Sequence, residues 1–344
     1  LVTLEGLGRG CGGNVHRAVH ATTLHFVAVK EVPVHDEARL QQAKSEILAL
    51  VCNLAANPAD GDPPSSLAAL FSPARRGRLS RRSSRSSCDG PGDGASDKEG
   101  EGEGERGGEL TPPLPSVAQC PNVVAFHDAY ANKKKEKVAV VLELCSNGSL
   151  QDILSNEKVN RIPEAQLAVV AYDVLSGIEF IHHRGLLHRD IKPGNILLTI
   201  RDGRPTAKVA DFGLVKDFGQ PHALAHAGPG RLEGTTRTFI GTPVYMSPER
   251  LQGQPYGYPS DVWSVGLTLL TCALGRYPVD VPSEDQYWFL LQLFSSEENP
   301  AKRLALEGLS EGFVNFLCCC LQKDPKTRWT ASQLLAHPWV RAGR

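Results

Sequence analysis

The sequence predicts an α+β chain in two parts, with strand-like runs gathered in the first 144 residues and helical spacing dominating the rest of the chain. Three observations carry that reading. Apolar, β-branched runs occupy Phe26 to Lys30 and again Lys137 to Leu144. Apolar residues three and four apart recur in 164–182, through Leu167, Val170, Ala171, Val174, Leu175 and Ile178. The 344 residues, 41% hydrophobic and 22% charged, suffice for two core-bearing lobes.

The totals also exclude classes of function. A net charge of −1 offers no global attraction for nucleic acid or an anionic membrane. Nine cysteines without a C-x-x-C pair suggest neither a disulfide framework nor a common zinc site, and they fit a reducing compartment. The run Val262 to Gly275 is too short to cross a bilayer and is interrupted by Ser264 and Thr268. The opening at Leu1, straight into a strand-like pattern, sets the expectation of no signal peptide.

Along the chain, Gly8 to Val15 reads G-x-G-x-x-G-x-V. Alone it fits a flexible turn, a dinucleotide loop or a phosphate cradle. A dinucleotide loop should open directly into a helix, whereas here a strand ending in Lys30 comes next. Leu40, Ala43, Ile47, Leu50 and Leu54 share one face of a predicted helix over 37–54, which also carries Glu46. From about Asn57 to Ser116 periodicity disappears. Proline, glycine, serine and charge prevail there, as in a disordered insert. Arginines beside Ser80, Ser83, Ser84, Ser86 and Ser87 precede an acidic run, an arrangement that phosphorylation would switch from attraction to repulsion. Order returns at Cys120. Asn147-Gly148-Ser149 supplies turn chemistry after the second strand.

The densest stretch is His188 to Leu198, where Asp190, Lys192 and Asn195 lie at fixed offsets inside apolar surroundings. A carboxylate, an ammonium and an amide are costly to hold there without a role for each. Asp211-Phe212-Gly213 comes after a strand about twenty residues further on. Thr235, Thr236 and Thr238 come after a Gly/Pro/His-rich stretch, 220–234. Next are Gly241-Thr242-Pro243 and Ser247-Pro248-Glu249. A helix opens at Ser260-Asp261-Val262-Trp263, and Cys318 to Cys320 sit in another helical run as packing residues.

Together these motifs resemble a protein kinase, over roughly 1–54 and 119–341. The resemblance implies a two-lobe fold. Its N-lobe, 1–144, has an antiparallel sheet and one helix, interrupted by the insert at about 57–118. The mainly helical C-lobe, 145–344, holds the catalytic loop 188–195 and the activation segment 211–249. It implies ATP and Mg²⁺ as well. Gly8, Gly10 and Gly13 would bring backbone N–H groups to the phosphates, with Val15 and Ala28 beside the nucleotide. Lys30 would reach the α/β-phosphates, held by Glu46. Leu142 would be the gatekeeper, and the backbone from Glu143 to Cys145 would meet the adenine edge. Asp190 would accept or orient the acceptor's proton, Lys192 would stabilise transferred charge, and Asp211 and Asn195 would hold the metal. Arg189 and Lys216 would face an activation-segment phosphate, Asp261 would brace the catalytic loop, and Arg328 would pair with Glu249.

Lys192 two residues after Asp190 marks the serine/threonine type of loop. Gly241 to Gly253, with Gly275-Arg276-Tyr277-Pro278, is similar to the MAP kinase kinase branch. That branch phosphorylates Thr and Tyr in a MAP kinase activation loop and is itself switched on by an upstream kinase. The partners expected are thus a protein substrate, a MAP kinase, and an upstream activating kinase, with neither nucleic acid nor membrane. The location expected is cytoplasmic, or nuclear too. The chain departs from the branch in its insert, in the 220–234 stretch and in Gly234, four before Thr238, where a second Ser/Thr would stand. The alternatives are a serine/threonine kinase one level up the cascade and a pseudokinase scaffold.

Overall fold

The computed structural model describes residues 1–10, 13–21, 24–34, 47, 120–132, 136–217, 236, 241–282, 284–295 and 308–344. All of these fall within one unit, Leu1–Phe71 together with Val117–Arg344. Glu46 and the rest of the expected helix apart from Ile47, the whole insert, Thr235 and Thr238 lie outside the described residues. Ile47 itself is helical and buried.

Five strands form the N-terminal sheet: β1 (Val2–Gly10), β2 (Gly13–Val19), β3 (Phe26–Pro33), β4 (Phe126–Asn132) and β5 (Lys137–Glu143). Their order is β1-β2-β3-β5-β4 and every neighbour is antiparallel. Alternation along the strands sends side chains to two faces. Val27, Val29, Ala139, Val141 and Ala18 form a small cluster on one face. Val138, Val140 and Ala129, on the other, join the main core that runs on into the helical part.

That helical part is organised on α2 (Glu164–His183) and α4 (Pro259–Leu274); the shorter described helices are α1 (Leu150–Leu154), α3 (Pro248–Leu251), α5 (Gln286–Ser295), α6 (Glu311–Cys320), α7 (Ala331–Leu335) and α8 (Pro338–Arg341). Helix α2 buries Leu167, Ala171, Val174, Leu175 and Ile178 of the stripe its spacing predicts, and Ile181 beyond it, while Val170 is only half-buried. Helix α4 is buried on all sides from Ser260 to Ala273, with Pro259 in its first turn and Gly275 at φ 74° closing it. Cys320 of α6 packs on Gly266 of α4, so it is a core residue, while Cys318 and Cys319 are half-buried. Short ladders β6/β9 (Leu186–Leu187 with Lys216–Asp217) and β7/β8 (Ile196–Arg201 with Arg204–Val209) bracket the loops of the site. Among the described residues no helix is long and apolar enough to cross a membrane.

Candidate active site

The loop between β6 and β7 hangs from one carboxylate. Asp261, wholly buried at the start of α4, accepts from the backbone N–H of His188 (2.8 Å) and of Arg189 (2.9 Å), and His182 Nε2 lies 2.9 Å from it. Burial works to raise Asp261, but the His182 contact and the neighbouring donors outweigh it and hold the carboxyl below its ordinary value. Arg189 takes φ 73°. That cost, of order 1–3 kcal/mol for a non-glycine residue, is tolerated because both flanking N–H groups are pinned.

His188 is fully buried. Its Nδ1 accepts from Asp190 N–H (3.3 Å), so Nε2 carries the proton and donates to Ala210 O (3.0 Å). Burial lowers its pKa, in keeping with that neutral ring. The loop is thereby tied to the strand leading into Asp211.

Asp190 is the convergence point. One carboxylate oxygen accepts from Thr242 N–H (3.1 Å) and Thr242 Oγ1 (2.9 Å), the other from Lys192 Nζ (2.8 Å) and Asn195 Nδ2 (2.9 Å). Lys192 Nζ also reaches Thr242 Oγ1 at 2.8 Å. Asn195 Nδ2 additionally holds Asp190 O (2.7 Å), which leaves the amide oxygen as the atom it can offer to a cation. A hydroxyl against the carboxylate, with an ammonium beside both, is an arrangement suited to taking a proton from an alcohol.

Across from this group, Lys30 of β3 is buried and its Nζ lies 2.7 Å from Asp211 Oδ1. Burial pushes Asp211 up, yet the charge and hydrogen bond of Lys30 prevail and keep its carboxyl below the usual range. Asp211 has φ 63°, and its Oδ1 also accepts from Gly213 N–H (3.3 Å). The sheet register sets Val15 opposite Lys30, and Ala28 opposite Leu142. The glycine hairpin closes with Gly8 opposite Val15 and Gly10 opposite Gly13. Gly13 has φ 146°, and a Cβ there would lie 2.1 Å from Glu31 O, so this position admits no side chain without backbone movement.

At the link between the lobes, Glu143 N–H already donates to Ala125 O (2.9 Å). Neither Leu144 nor Cys145 has a backbone hydrogen bond among the described residues. Burial first, then the Glu143 charge, pushes the Cys145 thiol up to about 12, which makes it inert as a nucleophile.

Arg189 directs its guanidinium to the carbonyls of Leu214 and, at 3.2 Å, Val215, whereas Lys216 is exposed. Thr236 exchanges backbone hydrogen bonds of 3.0 Å with Tyr256. Arg328 and Glu249, buried, form a two-pronged pair at 2.8 and 3.1 Å.

Sequence reasoning missed some participants. His182 looks like an ordinary cation at a helix end, and nothing local points it at Asp261. Lys208 pairs with Glu143 at 2.9 Å from a strand stretch, Ala207 to Val209, that is buried throughout. A lysine inside an apolar strand was the available signal.

The protein kinase domain matches residues 114–340. The chain belongs to the protein kinase family. It is similar to mitogen-activated protein kinase kinase 1c of Physcomitrium patens, 38% identical over 64% of this chain and 60% of the relative. It is also similar to mitogen-activated protein kinase kinase SIPKK of Nicotiana tabacum, 37% identical over 65% and 58%. A fungal relative, MAP kinase kinase skh1/pek1 of Schizosaccharomyces pombe, is 36% identical over 64% and 58%. The chain thus spans 60% or less of the length of these curated relatives. The kinase domain match leaves out residues 1–113, and with them β1 to β3 and Lys30.

Proposed function

We propose that this protein kinase is a MAP kinase kinase, transferring the γ-phosphate of ATP to Thr and Tyr hydroxyls in a MAP kinase activation loop. It would be activated in turn by an upstream kinase. The observation that carries the reading is the convergence of Lys192, Asn195 and Thr242 on Asp190, with Lys30 and Asp211 paired across from it.

In this reading the acceptor oxygen bonds to the γ-phosphorus, the bond from that phosphorus to the β,γ-bridging oxygen breaks, ADP leaves, and the acceptor's proton goes to Asp190. Lys192 steadies negative charge beside the transferred group. Thr242, hydrogen-bonded to both, marks where the acceptor chain meets the carboxylate. Most of the catalysis is positioning and electrostatics. The carboxylate of Asp211 and the amide oxygen of Asn195 are hard oxygen donors of the kind magnesium takes, and they would hold it. Bound there, Mg²⁺ would supply neutralising charge for the phosphates. Lys30 would hold the α/β-phosphates, with Gly8, Gly10, Gly13, Val15 and Ala28 around the nucleotide, Leu142 as gatekeeper and the Glu143–Cys145 backbone at the adenine edge. The reading includes an N-lobe of 1–144 interrupted at about 57–118, a C-lobe of 145–344, and a cytoplasmic setting.

The test incubates the purified chain with Mg-ATP and kinase-dead MAP kinases or generic Ser/Thr substrates, then maps phosphorylated residues by mass spectrometry. A second arm carries Glu at Thr235, Thr236 and Thr238 in place of prior activation. Paired Thr and Tyr phosphorylation, reduced about 10²–10⁴-fold by Asp190→Asn, is expected. Transfer only to generic sites would discard the MAP kinase kinase assignment, and absence of Asp190-dependent transfer in both arms would discard the kinase.

A further inference from the structure

The turn that carries Thr242 to Asp190 is anchored from beneath by two hydroxyls that stand apart from the reacting groups. Thr242 precedes a single 3₁₀ turn, Pro243–Tyr245, closed by Tyr245 N–H to Thr242 O (3.1 Å) and Met246 N–H to Pro243 O (3.0 Å). The carbonyls of Val244 and Tyr245 remain, and each is taken by a side chain from the helical lobe. Tyr277 OH donates to Val244 O at 2.6 Å, and Ser264 Oγ, on α4, donates to Tyr245 O at 2.8 Å; Ser260 O lies further from that hydroxyl, at 3.1 Å.

Gly241 to Tyr245 are only half-buried, whereas Met246 to Leu251 are buried. Val244 and Tyr245 rest against the main core, yet the turn stays more exposed than the chain after it, so the hydrogen bonds to its carbonyls add to what sets its register. Gly275 is the residue that makes Tyr277 available. Its φ of 74° reverses the chain at the end of α4, and a Cβ there would sit 2.4 Å from Asn160 O. The Tyr277 ring meets Tyr245 edge-on at 5.9 Å, which aims the phenol at the neighbouring carbonyl. Burial, then the neighbouring Tyr245, keeps that phenol far above its ordinary pKa, so it remains a donor at neutral pH.

We propose that Tyr277, assisted by Ser264, is a positioning residue for the protein acceptor. By holding the Val244 and Tyr245 carbonyls it sets the register of Thr242 on Asp190, and through it the site where the acceptor hydroxyl is presented. The role rests on the kinase reading given above. It explains what the Gly275-Arg276-Tyr277-Pro278 motif does in the folded chain.

The test compares Tyr277→Phe, which keeps the ring, Ser264→Ala and the double variant with the parent chain carrying Glu at Thr235, Thr236 and Thr238. Steady-state kinetics are measured separately against ATP and against a kinase-dead MAP kinase, and amide hydrogen exchange is followed at Tyr245 and Met246. Loss of one such buried bond should raise the acceptor KM about fivefold in each single variant and speed exchange in the turn, with the ATP KM unmoved. Equal shifts in both KM values would reduce the bonds to general stability and overturn the role. So would an active parent whose variants leave the acceptor KM unchanged. A parent chain that transfers no phosphate at all would overturn the kinase reading and this role with it.

Discussion

The catalytic loop and the glycine hairpin, both proposed to meet the phosphates, are held by different means. Around Asp190 the loop is fixed by buried charged side chains of the helical part. Asp261 takes two loop N–H groups at 2.8 and 2.9 Å, and Arg328, 3% exposed, ties Glu249 and the end of the activation segment to the same lobe. The hairpin β1/β2 is held mainly by backbone ladders, within itself and from β2 to β3, with Ala18 its buried anchor, Leu4 and Leu7 51% and 48% exposed, and a surface pair, Arg17 with Glu5, at 3.2 Å. At Gly13 it runs so close to β3 that a Cβ would lie 2.1 Å from Glu31 O. The loop proposed to present the proton acceptor is built into the core, with His188, Asp190 and Asn195 buried. The hairpin proposed to cover the phosphates is drawn from the low-stability end of the molecule.

Three substitutions put this contrast to the test. Arg328→Met should cost the most, about 3–5 kcal/mol, because it leaves the Glu249 carboxylate buried without its cation. Thermal or urea unfolding reads it, and a loss near zero would mean that the helical lobe does not depend on its buried charges. Gly13→Ala should cost about 1–3 kcal/mol of local strain, since the added methyl meets a backbone carbonyl at a positive φ. Its larger signature is an ATP KM raised about tenfold with the acceptor KM unchanged, and a stability loss matching that of Arg328→Met would erase the distinction between the two regions. Glu5→Gln should change stability by no more than about 0.5 kcal/mol, because the pair it breaks is solvent-exposed. A clear drop in melting temperature would show the hairpin to be held by more than its ladders and Ala18.

The parts of the site that were legible in the sequence are those whose meaning is local. Asp190, Lys192 and Asn195 fall within six residues, and the hydrogen bonds among them arise from one tight loop. The longer runs were legible from spacing: β5 ends at Glu143 and α2 at His183, each within one residue of the run read from its apolar pattern. Resemblance to kinases, rather than spacing, pointed to Asp261 and to Arg328 with Glu249. The pairings of Lys208 with Glu143 and of His182 with Asp261 stayed hidden, because the partners are 65 and 79 positions apart and nothing local to Lys208 or His182 names the partner.

The order of residues was enough to determine the two-part α+β architecture and the longer elements, and to bring Asp190, Lys192 and Asn195 into one loop, since backbone periodicity and short-range spacing are properties of neighbouring residues. Which distant groups meet was left to the tertiary fold. It set Lys30 on Asp211 across 181 positions and turned Tyr277 back onto Val244. Charges and hydroxyls acquire such partners only when packing removes them from water and fixes their distance, and one-dimensional order does not encode that distance directly.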